Sequence, residues 1–290
     1  SFQYRYNKKN DVINGPTSDN ITTKIGTPRF RKSFSGSVFS MLTGGAGKNN
    51  YFHWLFDVLP RIGILENIKK IENPDFYLLP SLKFYYQQET LKELKIPISR
   101  LLSGEKNKHF FCDKLITVTH PYVFHNDPSE SILNIPQWII EWLRKKFILN
   151  GSETNNFLDK IYIDRSDSVH NKNRYIINNQ EVRDCLKGKG FQNIILSKLS
   201  FADQVKVFNN AKIIVGLHGA GFSNIIFSNP GTKIIELQSS TAGKVIENLS
   251  IQCKHDYKKI SKESEDTDLI LQQGNIKVDI DELKKTILSM

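Results

Sequence analysis

From residue 160 onward, apolar runs and amphipathic segments alternate, separated by short polar breaks. "KIYIDRS", "FQNIILS", "KIIVGL" and "TKIIELQ" are β-branched runs without polar alternation, which predicts strands covered on both faces. Helical patterns lie between them: "NNQEVRDCLKGKG", "SFADQVKVFNNA", the short "GAGFSNIIFSN" and "AGKVIENLSIQC". "DIDELKKTILSM" closes the chain as a further helix. Asn178 with Glu181 three residues on predicts a capping box, Gly188 or Gly190 a stop, and Ser200 a second N-cap. Strands and helices alternating at this spacing predict βαβ units on a parallel sheet, an α/β fold class.

The first half is less regular. Its first fifty residues are polar and turn-rich. Short segments follow: "PDFYLLPS", "QQETLKELKI", "KLITVTHPYVF" and "IPQWIIEWLRKKFIL". The last predicts an amphipathic helix, with Ile139, Trp142, Leu143 and Phe147 on one side. "NGSETNNFLDK", 150–160, has linker composition and predicts a boundary between domains 1–150 and 151–290. In that division the last helix can pack back on the N-terminal domain.

Length and charge narrow the classes. A chain of 290 residues suits one large or two medium domains. No run approaches the roughly 18 apolar residues of a membrane span, and the N-terminus shows no apolar signal region. The chain does not start with Met, so an anchor can have preceded it. A net charge of +10 fits either a lysine-rich solvated surface or an anionic partner. Cys112, Cys185 and Cys253 are far apart and make no metal spacing, which predicts buried free thiols in a reducing compartment. Glycosylation triplets at Asn20, Asn150 and Asn248 are chance matches in so Asn-rich a chain.

Five stretches carry chemistry. "TGGAGKNN", 43–50, is close to a P-loop, but Asn49 replaces the Mg²⁺-binding hydroxyl and no parallel-sheet pattern precedes it. In "YFHWLFDVLPRI", 51–62, Phe52, Leu55, Phe56 and Leu59 form a core stripe. His53 and Asp57, at i and i+4, share the adjoining face: either an oriented base or a self-satisfied pair. Pro60 should end or kink that helix and set Arg61 at a turn. Arg165 and Arg174 flank the exit of the first C-terminal strand, where α/β sheets bind ligands. "VGLHGAGFSN", 215–224, follows a strand and opens a helix. Its glycines, 216, 219 and 221, miss the G-x-G-x-x-G spacing, and the chain has no G-x-S-x-G nucleophile. A glycine turn remains, and such a turn also exposes amides to an anion. Glu236 ends the strand of "PGTKIIELQ", either in solvent or accepting two hydroxyl hydrogen bonds.

In this order, "NYFHWLFDVLPRI", "IYIDRSDS…NRYIINNQEV" and "LSFADQVKVFNNAKIIVGLHGAGFSNIIFSNPGTKIIEL" resemble glycosyltransferase family 61. The family's bacterial members build capsular and other surface polysaccharides. One departure is Asn178-Asn179, where the family often reads Asn-Glu. The resemblance implies an inverting, metal-independent transferase without a DxD motif. It implies a GT-B architecture: two Rossmann-like domains facing a central cleft. The C-terminal domain would bind a nucleotide-sugar, usually UDP-linked, and the N-terminal domain a glycan acceptor. On that reading Arg165, Arg174, His218, Gly219, Ala220, Gly221 and Asn224 meet the donor, and Glu236 holds its ribose. Asp57, with His53 beside it, is the first candidate for general base and His218 the second. Asn50 and Arg61 lie on the acceptor side.

Two other readings compete. One is a non-catalytic basic protein that holds an acidic glycan or a nucleic acid. Few aromatics interleave with the lysines, so no nucleic-acid partner is expected. The other is a nicotinamide dehydrogenase, which the glycine spacing opposes. The expected location is cytoplasmic, with "EWLRKKFIL" as the candidate for peripheral contact with the membrane.

Overall fold

The computed structural model describes residues 5–6, 12–14, 32–43, 45–68, 73–107, 110–125, 127–148, 158–167, 174–264 and 274–290. Asn20 and Asn150, from the chance triplets, lie outside them. Contacts divide the chain into two compact units, 1–122 and 123–290.

In the first unit β1 (Arg5–Tyr6) and β2 (Val12–Asn14) pair antiparallel. The main sheet is parallel and joins β3 (Lys32–Ser40), β4 (Phe76–Leu79), β5 (Leu101–Ser103) and β6 (Phe110–Thr117) in the order β5-β4-β3-β6. β3 lies at the centre, although its serine-rich sequence predicted only turns. A bulge between Phe34 and Ser37 interrupts it, and Gly36 there has φ +102°. The Gly36 amide donates to Asp113 (2.6 Å), and that of Ser37 to Asp75 (2.7 Å). Side chains therefore satisfy the backbone where the ladder breaks. A parallel strand thus does precede "TGGAGKNN", contrary to the sequence expectation. The missing hydroxyl at Asn49 still argues against a P-loop, and Lys48 is paired with Glu105 at 2.6 Å.

After β3 come α1 (Tyr51–His53), a π turn (Trp54–Val58) and α2 (Pro60–Glu66). Phe52, Leu55, Phe56 and Leu59 are buried, as their spacing predicted. Pro60 does not end the helix. It has no N–H for the ladder, and one wide turn absorbs the loss: Leu59 N–H reaches Trp54 O (3.1 Å), and Pro60 begins α2. Arg61 therefore sits inside a helix rather than at a turn. α3 (Tyr85–Glu93) joins β4 to β5.

The second unit opens with α4 (Pro128–Leu133) and α5 (Gln137–Phe147). Then follow β7 (Lys160–Ile163), α6 (Asn179–Gly188), β8 (Gln192–Ile194), α7 (Phe201–Asn210) and β9 (Ile213–Leu217). A 3₁₀ helix (Ala220–Phe227) leads to β10 (Lys233–Ser239), α8 (Val245–Gln252), β11 (Asp256–Lys262) and α9 (Ile280–Leu288). The sheet is parallel throughout, in the order β11-β10-β9-β7-β8. On one face Tyr162, Val215, Leu217, Ile235 and Leu237 cluster with Val182 and Leu186 of α6 and Leu283 of α9. On the other, Gly216 is needed: a Cβ there would fall 3.0 Å from Ile163 Cβ and collide with the Phe222 ring. Both units are Rossmann-like α/β folds.

Three expectations change here. The division falls after Tyr122 rather than within 150–160. α5 goes with the second unit because Phe147 packs edge-on against Phe201, ring centroids 4.9 Å apart, and Ile139, Ile140 and Leu143 are buried. The same burial removes "EWLRKKFIL" as a membrane-facing helix, its apolar side being interior. No helix among the described residues is long and apolar enough to cross a membrane. α9 packs within the second unit, Leu283 joining its core. Of the three free cysteines only Cys253 is buried; Cys112 and Cys185 are half-buried.

Asn178 does precede α6, but its side chain does not cap the helix. Its amide fork pairs with the backbone of Val278, receiving its N–H and donating to its carbonyl, both at 2.9 Å. The Ser200 cap on α7 forms as expected, accepting from the Asp203 amide at 3.1 Å.

Candidate functional site

Each sheet has one point where the strand order reverses, and in open α/β sheets ligands bind beyond the strand C-termini there. In the second unit that point lies between β7 and β9. β7 runs into Asp164-Arg165-Ser166 and β9 into His218-Gly219-Ala220. The Arg165 guanidinium donates to the His218 carbonyl and lies on Gly219. A Cβ on Gly219 would sit 2.7 Å from Arg165 Cζ, and its φ of +154° independently favours glycine. Burial, then the charge of Arg174, lowers Arg165 to about 10, with Asp167 opposing. Burial lowers Arg174 as well. Two desolvated guanidinium groups within each other's field make a site that favours an anion. Gly219 precedes the 3₁₀ helix, at whose head the first amides have no carbonyl within the helix.

His218 is buried. Its Nδ1 is 2.5 Å from Glu236 Oε1, and the Tyr257 hydroxyl donates to Glu236 Oε2 at 2.5 Å. Burial, then Glu236, pushes the Tyr257 phenol up, so it stays a donor. Glu236 is 0 % exposed and both of its oxygens are engaged. The ribose-holding role expected of Glu236 therefore gives way to orientation of the His218 ring. Asn224 is also corrected. It is 0 % exposed and its amide donates to Gln204 Oε1 (3.0 Å), fixing the 3₁₀ helix to α7 rather than facing a ligand.

Asp164 received no role from the sequence, yet it anchors this edge. Arg183 pairs with its Oδ2 (2.5 Å), Asn193 donates to Oδ2 (3.0 Å), and the Ser166 amide donates to Oδ1 (2.9 Å). Burial works to raise its carboxyl, but Asn193, Ser166 and Arg183 outweigh it and hold it below the usual range. Beside it a cavity of about 380 Å³ is lined by Tyr162, Arg165, Tyr175, Ile176, Asn179 and Leu217.

In the first unit the reversal lies between β3 and β6. The π turn after β3 carries Asp57, and the segment after β6 carries His120 and Tyr122. His53 Nδ1 is 2.7 Å from Asp57 Oδ2, and the Tyr122 hydroxyl donates to Asp57 Oδ1 at 2.6 Å. His120 Nε2 stands 4.0 Å from the same oxygen. Burial, then Asp57, pushes Tyr122 up. Both Asp57 oxygens are thus committed; the side chain of His53, in direct contact with Oδ2, is 22 % accessible and that of the more distant His120 36 %, against 10 % for Asp57.

Arg61 is buried. Its Nε donates to Asp57 O and its Nη1 to Val118 O, both at 3.1 Å, which ties the π turn to the exit of β6. Burial lowers its pKa against the pull of Asp57. Asn50 caps α1, its Oδ1 accepting from the Phe52 amide at 2.9 Å. Arg61 and Asn50, expected on the acceptor side, are thus seen tying the π turn to the exit of β6 and starting α1. No sequence spacing pointed to Tyr122 or Tyr257: they stand 65 and 21 residues from the carboxylates they hold.

The fold and this edge define an α/β protein of two Rossmann-like units with a cationic, glycine-lined cradle and two histidine–carboxylate pairs, of which His218–Glu236 is the buried one. A family model described as Glycosyltransferase 61 matches residues 51–235, which is more than half of the chain and holds all twelve of the candidate residues except Asn50 and Glu236. The chain belongs to glycosyltransferase family 61. No curated protein matches it. Membership supports glycosyl transfer, and so a sugar donor and an acceptor.

Proposed function

We propose that this is an inverting, metal-independent glycosyltransferase that uses a nucleotide-sugar, UDP-linked by family resemblance, and extends a surface polysaccharide. Its two units would work as a GT-B pair, the second holding the donor and the first the acceptor. The observation that carries the reading is Arg165 lying on Gly219 beside Arg174 and the head of the 3₁₀ helix.

His53 is the general base in this scheme. Its Nδ1 is held by Asp57, so Nε2 takes the proton of the acceptor hydroxyl. The acceptor oxygen attacks the anomeric carbon as the bond to the diphosphate breaks, and the configuration inverts. The charge released on the leaving diphosphate is met by Arg165, Arg174, His218 and the amides of Ala220 and Gly221. Glu236 and Tyr257 hold the His218 ring for that contact. Asp57 orients rather than receives, since Tyr122 and His53 occupy its oxygens.

A screen of nucleotide-sugars for donor hydrolysis and thermal stabilisation tests this. One donor, stabilising and hydrolysed without added metal, is the expected result. Stabilisation by none of them would remove the donor assignment.

A further inference from the structure

The cavity beside Asp164 differs in chemistry from the cradle it adjoins. Its walls are ring and aliphatic surfaces: Tyr162, Tyr175, Ile176 and Leu217. Tyr175 is 42 % exposed and stands at the rim. A hexose buried here would need partners for three or four hydroxyls, and the polar wall is thin. Asp164 has its oxygens engaged by Arg183, Asn193 and the Ser166 amide. A flat heteroaromatic ring needs a surface to stack on and one or two hydrogen bonds.

Asn179 supplies the hydrogen bond. Its Oδ1 accepts the Tyr162 hydroxyl at 2.6 Å, and its Nδ2 lies 3.5 Å from Asp164 Oδ1. Those two neighbours fix which end of the amide is nitrogen. One Nδ2 hydrogen remains for a carbonyl on the ligand. Arg165 lines the cavity and also reaches the His218 carbonyl, so the pocket and the diphosphate cradle share that side chain. A volume of about 380 Å³ holds a nucleoside.

We propose that this cavity is the nucleoside subsite, stacking an oxo-substituted base on Tyr175 and reading its carbonyl with Asn179. The inference rests on the donor reading above and adds two recognition residues to it. The test is calorimetric titration of the whole chain with UDP, UMP and inorganic pyrophosphate. Tyr175→Ala removes an exposed ring and leaves the core intact. Asn179→Asp keeps the acceptor for Tyr162 and removes the N–H donor. Each variant is expected to weaken UDP and UMP about 10-fold while pyrophosphate stays within about 2-fold. Unchanged UDP affinity in Tyr175→Ala, or an equal loss for pyrophosphate, overturns the subsite and leaves the donor reading standing. A wild-type chain that binds no nucleotide overturns the donor reading itself.

Discussion

The two sheet edges carry the same three-part device in different settings. Each places a histidine Nδ1 against a buried carboxylate whose other oxygen receives a tyrosine hydroxyl: His53–Asp57–Tyr122 in one unit, His218–Glu236–Tyr257 in the other. The first lies where its strand order reverses; the second starts at the reversal with His218 and runs outward to Glu236 on β10 and Tyr257 on β11. They differ in access and in charge. The His53 side chain is 22 % accessible and that of His218 7 %. Beside His53 the buried arginine, Arg61, donates to backbone carbonyls. Beside His218 two desolvated arginines share a field and a glycine turn. An accessible oriented imidazole suits proton abstraction, and a recessed one among cations suits an anion. The surroundings, not the triad, divide the labour.

Replacing His53 with Ala should have the largest effect, lowering kcat by about 10²–10⁴ while donor KM changes little. A loss confined to donor KM would put His53 on the wrong side of the comparison. Arg165→Ala should lower kcat/KM for the donor by about 10²–10³, with Gly219→Ala close behind, because its Cβ would displace the same guanidinium. Donor kinetics that Gly219→Ala leaves intact would detach Arg165 from the cradle.

The tyrosines sharpen the contrast at smaller scale. Tyr122→Phe should cost about 10-fold, mainly in kcat, and Tyr257→Phe about as much, mainly in donor affinity, each removing one hydrogen bond to a charged oxygen. The reverse assignment would show that the two triads exchange roles.

The smallest effect concerns stability. Burial lowers His255 to about 4 from 6.5; the Ser228 carbonyl opposes this and the Arg144 charge adds to it. The unfolded chain therefore binds a proton between pH 6.5 and 4 that the folded chain does not, and stability falls as pH falls through that window. His255→Asn should flatten the fall by on the order of 1 kcal/mol, allowing for a half-buried ring. Denaturant unfolding at pH 7 and pH 4.5 measures it; an equally steep fall in the variant would clear His255 of the effect.

Legibility in the sequence followed the physics of burial. β7, β9 and β10 are covered on both faces, so their apolar runs stood out. β11 is an edge strand with three lysines and one buried residue, Ile260, and β3 is a central strand rich in serines around a bulge. Neither has a strand's hydrophobic signature. His53 and Asp57 were readable as a pair from local spacing, but the pairing of His218 with Glu236 and the tyrosines that complete the triads arrive through the topology. Glu236 was expected to be a ligand contact because its strand was expected to end with it, and Asn224 because of the family resemblance, yet their side chains face the interior. The capping box failed for a similar reason: the Asn178 amide found the backbone of Val278, 100 residues on.

The division of labour is tested most directly by thermal unfolding of three proteins with and without saturating UDP: wild type, His53→Ala and Arg165→Ala. At about 100 times Kd the nucleotide should stabilise a competent site by about 2.7 kcal/mol, a shift of a few degrees. The expected result is the same upward shift in wild type and His53→Ala and none in Arg165→Ala. A shift lost in His53→Ala, or retained in full by Arg165→Ala, would contradict it.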